Sequence, residues 1–332
     1  MLDDFTTAIS MKDVNFMRKV SKGNLHSHAG KGCSIEYICK KLDIADIVSP
    51  RKFSSLYDMH KWYSNNIGKY CNDYIGLLTR WEGCFLEASE DHLEVMVQSF
   101  SLEVINAVGG MERFMEILEG FHHKHCPETL FLPEITFSRS ANIDSSMKQL
   151  EYVLTFHYFK SLDICFDELS EPIEKFVSLY RMCKEAGLIL KAHVGEFGTA
   201  TDVYHAVRLL ELNEVHHGIA AAESTEVMDY LKERRIVLNI CPSSNYFLNV
   251  VHNMGDHPIQ RLVRYGVEVT VNTDDQLIFQ SSLSKEYLLL YENGVLTPDE
   301  LNDIRKRSLK EAVIARYKMY EAINNGKYRF FI

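Results

Sequence analysis

The chain has 332 residues, 46% of them hydrophobic and 25% charged, with a net charge of −10. That balance belongs to a globular protein with a large core, and the length suits one α/β barrel domain over 1–332. The negative charge argues against a protein that tracks nucleic-acid phosphates, which needs a positive face, and leaves a small-molecule ligand as the expected partner. No run approaches the roughly 18 apolar residues of a membrane span. Met1-Leu2-Asp3-Asp4 lacks both the basic and the apolar region of a signal peptide, so a cytoplasmic location and no membrane partner are expected. The eight cysteines form no C-x-x-C pair and read as reduced, mostly buried thiols.

In chain order, strands are predicted at 22–28, 130–138, 161–167, 188–193, 215–217, 236–240 and 267–272, with helices between them. Ile173, Phe176, Val177 and Tyr180 follow helical spacing, and Gly187 offers a stop. Ser224 can cap a helix running to about 234. Thr297-Pro298-Asp299-Glu300 reads as a capping box with Pro at the first helical position. Strand–helix alternation implies a parallel sheet with crossover helices, closed as a TIM-like (β/α) barrel. Residues 50–128 read as a helical insertion after the first strand, over one mouth of the barrel, either a lid or a plain structural insert. His122, His123 and His125 end an amphipathic stretch there, where a helix dipole favours cations, and are read as structural.

Four predicted strand ends carry metal-ligand or acid–base residues. His26 and His28 stand two apart, so they share one face of a strand. The run Ile189-Leu190-Lys191-Ala192 ends in His193, then Val194-Gly195-Glu196 turns to bring a carboxyl group close. Glu214-Val215-His216-His217-Gly218 ends another strand, and His216 is expected to point away from His217, into packing or solvent. Asp274 and Asp275 follow a β-branched run; two consecutive acids on a regular strand cannot both face inward, so one suits a metal and the other a substrate. A barrel brings such ends to one rim.

Together, His-x-His, His-x-Gly-Glu, His-Gly and Asn272-Thr273-Asp274-Asp275 resemble the adenosine deaminase family of metal-dependent hydrolases. Cys241-Pro242-Ser243-Ser244-Asn245, His257-Pro258-Ile259, Gly266-Val267-Glu268-Val269-Thr270 and Leu277-Ile278-Phe279 match its other segments, densest over 187–290. The resemblance implies one zinc per chain on His26, His28, His193 and Asp274. It also implies Glu196 as proton donor to purine N1, His217 orienting the attacking hydroxide, and Asp275 at N7, with Gly195 lining the pocket. The expected reaction is hydrolytic deamination of adenosine or a close relative to a 6-oxopurine and ammonia. Glu134 is matched to the glutamate of the family's second strand. The separate fold of base-flipping zinc deaminases is excluded, because no Pro-Cys-x-x-Cys occurs.

Three departures stand out. Ala29-Gly30-Lys31 replaces the family's Leu-Asp-Gly, removing a carboxylate that meets the ribose 5′-hydroxyl. Phe166 stands where the family has a glycine whose N–H faces N3. Between Ser138 and Asp163 the interval is short, so either the register differs or one βα unit is reduced. The first two argue against plain adenosine as the best substrate, and Gly30 and Lys31 favour AMP or a modified adenosine as the alternative, with Lys31 as a phosphate contact. An alternative of another class is a catalytically weak member acting as a ligand-binding or assembly protein.

Overall fold

The computed structural model describes residues 4–325. Nine parallel strand segments occur among them: β1 Lys22–Asn24, β2 Leu93–Ser101, β3 Leu130–Ser138, β4 Ser161–Cys165, β5 Ile189–Leu190, β6 His193–Val194, β7 Glu214–His217, β8 Val237–Ile240 and β9 Val269–Val271. β1 to β5 pair in sequence order, as do β6 to β9. β5 and β6 are halves of one strand position. Across the break, Lys191 N–H donates to Leu162 O (2.8 Å) on one side and His216 N–H to Ala192 O (2.9 Å) on the other. The seam between β9 and β1 closes through a parallel bridge between Ser27 and Asp274. Leu25 N–H donates to Asn272 Oδ1 there (2.7 Å), and Asp274 N–H to His26 O (3.2 Å). This is the expected TIM-like barrel.

β2 corrects the expectation of a helical insertion reaching over 50–128, because a strand interrupts it at Leu93–Ser101. Val95, Met96, Val97 and Phe100 are all buried. A short strand buried on both faces loses the alternation that separates strand from helix in a sequence. With β2 in place, no βα unit is reduced: the interval from Ser138 to Asp163 holds the helix Ile143–Leu154 and the start of β4. Glu134 therefore lies on the third strand, not the second.

The expected local signals form as read. Ser224 caps Thr225–Arg234, Thr297 and Glu300 make a capping box before Pro298–Ser308, and Gly187 takes φ 83°. All eight cysteines are free and seven are buried. The excursion between β1 and β2 carries the helices Ile35–Leu42, Leu56–Tyr63 and Tyr74–Glu90. Its Ile38, Phe53, Met59 and Ile67 join Leu248, Leu277 and Phe279 in a second apolar cluster. The excursion therefore packs on the loops that follow β8 and β9, over the mouth where the strands end.

Inside the barrel, toward the start of the strands, lies a buried ionic layer. Lys191 Nζ is 3.0 Å from Glu134 and 3.5 Å from Glu214, and Arg316 of the helix Lys310–Asn325 reaches Glu214 at 3.1 Å. Burial opposes the Lys191 charge, but the two carboxylates more than offset it and raise its pKa. Removing one partner of such a network leaves uncompensated buried charge. Lys191→Ala should destabilise the fold by about 3–5 kcal/mol in denaturant unfolding, the scale for a broken buried pair.

Candidate metal and catalytic site

At the opposite end of the strands, β1, β6 and β9 bring His26, His28, His193 and Asp274 together, with one donor atom from each lying within 4.8 Å of the others. Asp274 Oδ1 is 3.6 Å from His26 Nε2 and 3.3 Å from His28 Nε2. Tetrahedral zinc with bonds near 2.1 Å places its donors about 3.4 Å apart, so these separations suit it. The ring nitrogens of His26 are fully buried and have no hydrogen-bond partner among the described residues, an arrangement that costs free energy unless something else coordinates them. Burial, with the neighbouring His216 and His193, holds His26 neutral, well below the usual histidine range. Neutral imidazole is the ligand form. The donor set fits a zinc ion.

Two of the rings are oriented from behind. His193 Nδ1 lies 3.0 Å from Asp163 Oδ1 on β4, and His28 Nδ1 lies 2.9 Å from Ser99 Oγ on β2. Each contact occupies Nδ1 and leaves Nε2 to face the centre. Ser99 went unnoticed in the sequence because β2 itself did.

The backbone is unusual at the rim. His217 takes φ 62°, Asp274 φ 57° and Phe166 φ 80°, a region that side-chain-bearing residues rarely occupy. His216 follows Glu214 by strand alternation onto the inward face, and φ 62° at His217 turns that ring inward as well, so His216 packs as expected but does not point away from His217. It is fully buried, stacks on His26 with ring centroids 3.8 Å apart, and meets Glu134 at 3.2 Å. Gly195 (φ 73°) needs to be glycine, because a Cβ there would lie 2.3 Å from Val203. Phe166 occupies a glycine-like conformation, in keeping with its alignment to a family glycine.

Glu196 is buried among donors. Ser244 Oγ and Asn245 Nδ2 donate to its Oε1 at 3.3 and 3.2 Å, and His217 Nδ1 stands 3.4 Å away. Burial, then the charges of Asp274 and Glu168, push its carboxyl well above the ordinary glutamate range. Behind it, the Glu168 carboxylate accepts the backbone N–H groups of Glu196, Phe197 and Gly198. Burial drives the pKa of His217 down to about 3, so its ring is neutral. Its Nε2 has no partner and faces Asp274 Oδ2 at 3.9 Å.

The expected substrate residues divide. Phe166 and Glu196 line a cavity of about 1230 Å³. Lys31 Nζ instead pairs with Asp275 Oδ2 at 2.7 Å, and Gly30 O accepts from Arg80 Nη1 at 2.9 Å. His122 and His125 bond Thr129 O and Glu82 rather than each other. If the four donors hold zinc, Ser99→Ala and Asp163→Asn should each weaken retention of the ion by about 10–100-fold in competition with a chelator, the usual effect of losing an outer partner.

The family model for adenosine deaminase matches residues 135–324. A putative adenosine/adenine deaminase from Treponema pallidum is 28% identical over 288 residues, covering 86% of this chain and 96% of its own length. The solved adenine deaminase from Arthrobacter aurescens has a TM-score of 0.75 at 21% identity, covering 92% of this chain and 98% of that one. An amidohydrolase from Burkholderia ambifaria, solved with bound Zn, has a TM-score of 0.73 at 17% identity and covers 95% of each chain. Among the described residues no helix is long and apolar enough to cross a membrane. With the family model matched over more than half of its length, the chain belongs to the adenosine deaminase family, and it is a hydrolase that deaminates substrates of the adenine or adenosine type.

Proposed function

We propose that this chain is a zinc-dependent aminohydrolase of a 6-aminopurine nucleoside, adenosine or a close relative, yielding the 6-oxopurine and ammonia. His26, His28, His193 and Asp274 would hold one zinc ion per chain. What zinc supplies at such a site is Lewis acidity, which makes hydroxide available near neutral pH.

The observation that carries the reading is the state of Glu196. Burial pushes its carboxyl well above the ordinary glutamate range, which favours the protonated form, and Ser244 Oγ, Asn245 Nδ2 and His217 Nδ1 crowd Oε1. The acid proton therefore belongs on Oε2, ready for purine N1. Protonating N1 makes C6 electrophilic, without which an aromatic C–NH₂ resists attack. His217, neutral and with Nε2 directed toward Asp274, is suited to orient the attacking oxygen. N7 only accepts hydrogen bonds, so the bare carboxylate of Asp275 cannot hold it alone; the Lys31 ammonium beside Asp275 supplies a proton at that edge.

Because Lys31 is tied to Asp275, it lends no support to the AMP alternative. The complete ligand set with Glu196 speaks against a weak binding protein. Glu196→Gln should keep its zinc by metal analysis while turnover falls at least ~10²-fold, the scale for losing a general acid. Near-normal turnover would place the acid elsewhere. His193→Ala should lose both metal and activity.

A further inference from the structure

The cavity that opens from Glu196 is larger than an adenine nucleoside requires. At about 1230 Å³ it exceeds the roughly 300–1,000 Å³ of ordinary small-molecule sites. Leu56, Phe166, Leu169, Ile219, Leu248 and Val250 give its lining an apolar stretch, beside the polar Ser54, Ser55 and Asn249. Three large hydrophobic side chains that are notably exposed converge on it: Tyr57 at 77%, Leu169 at 67% and Phe166 at 51%. Scattered exposed apolar residues need no explanation, but a convergent set around one opening marks a surface that an apolar group covers.

Charge points the same way. Asp167, Glu223 and Asp256 stand along the cavity, and among the described residues Arg261 is the sole Lys or Arg of its lining. Lys31 is held by Asp275 and lies over the Tyr63 ring at 5.6 Å. His60, stacked on Phe166 with ring centroids 4.5 Å apart at 14°, is driven by burial and by Lys31 down to a pKa of about 4 and adds no positive charge. A phosphate monoester carries about −1.5 to −2 charges at neutral pH and needs basic partners. This wall repels it.

Orientation decides which end of the substrate meets the wall. The reacting C6 edge must face Glu196, and the ribose leaves the purine from the opposite edge, at N9. The part of the cavity away from Glu196 therefore receives the 5′ end of the nucleoside, whereas a group on N6 would be directed toward the buried histidines.

Resting on the deaminase reading above, we infer that the preferred substrate is an uncharged adenine nucleoside with an apolar 5′ extension, of the 5′-alkylthio-5′-deoxyadenosine class, rather than a nucleotide. The reaction is unchanged: water adds its oxygen to C6, the C6–N bond breaks, the amino group leaves as ammonia, and the 5′ thioether is untouched.

The test is kcat/KM of the metal-loaded enzyme, followed by ultraviolet absorbance and ammonia release, on adenine, adenosine, AMP and 5′-butylthio-5′-deoxyadenosine. One methylene in an apolar pocket discriminates by roughly 10- to 200-fold, so the thioether should exceed adenosine at least ~10-fold, with AMP below adenosine. Leu169→Asp, at an exposed position, should bring the thioether-to-adenosine ratio toward one. Glu223→Lys should raise the AMP-to-adenosine ratio. Preference for AMP or free adenine, or equal turnover of thioether and adenosine, overturns the inference and leaves deamination standing. Turnover of none of the four overturns the deaminase reading, and the inference with it.

Discussion

The bridge between Ser27 and Asp274 joins the two ends of a chain of strands that would otherwise remain open. Its hydrogen bonds, from Asp274 N–H to His26 O and from Leu25 N–H to Asn272 Oδ1, place the first and last strands side by side. Only closure puts Asp274 within 3.3 and 3.6 Å of the His28 and His26 imidazoles. An edge opened at this seam would expose backbone donors and pull the carboxylate from the rings together. Barrel closure and the candidate metal site are one constraint.

A closed barrel of this size has no aqueous interior, so every polar group in it needs a partner. Two layers meet that demand differently. Near the start of the strands Lys191 and Arg316 answer Glu134 and Glu214 with full charges. Near their ends, buried imidazoles such as His26 and His217 stay neutral, leaving their nitrogens free to coordinate or accept protons. His216 sits between the layers, stacked on His26 and bonded to Glu134. It links the rigid ionic layer to a ligand ring, and so helps hold that ring in place.

Legibility in the sequence followed from locality. The caps at Ser224 and Thr297, the strand Leu130–Ser138 and the His-x-His pair are set by residues within a few positions of each other, and each formed where expected. His26, His193 and Asp274 could be read as one group only because three strand ends of suitable chemistry resembled a known order. What escaped depends on distant partners or backbone angles. Lys31 meets Asp275 across 244 positions, so a cation that looked free in its Gly-rich turn proved to be engaged. His216 shares the inward face of its strand with Glu214, and His217 joins it in the interior through φ 62°, which alternation does not foresee. Ser99 was hidden with β2, whose burial on both faces erases the period of a strand.

The same excursion that obscured β2 also shapes the pocket. Its helix Leu56–Tyr63 brings Leu56, Tyr57 and His60 to the cavity wall, while Phe53, Met59 and Ile67 anchor it in the apolar cluster shared with Leu248 and Phe279. The catalytic end of the cavity is thus built on strand ends locked by barrel closure, whereas the outer end is built on helices held mainly by side-chain packing. Strand ends tolerate little change, because a shift of a few tenths of an ångström would disturb several donors at once. Packed helices can exchange one exposed side chain for another at small cost. The proposed reaction chemistry therefore resides in the part of the molecule that resists substitution, and the proposed discrimination at the far end of the substrate in the part that admits it.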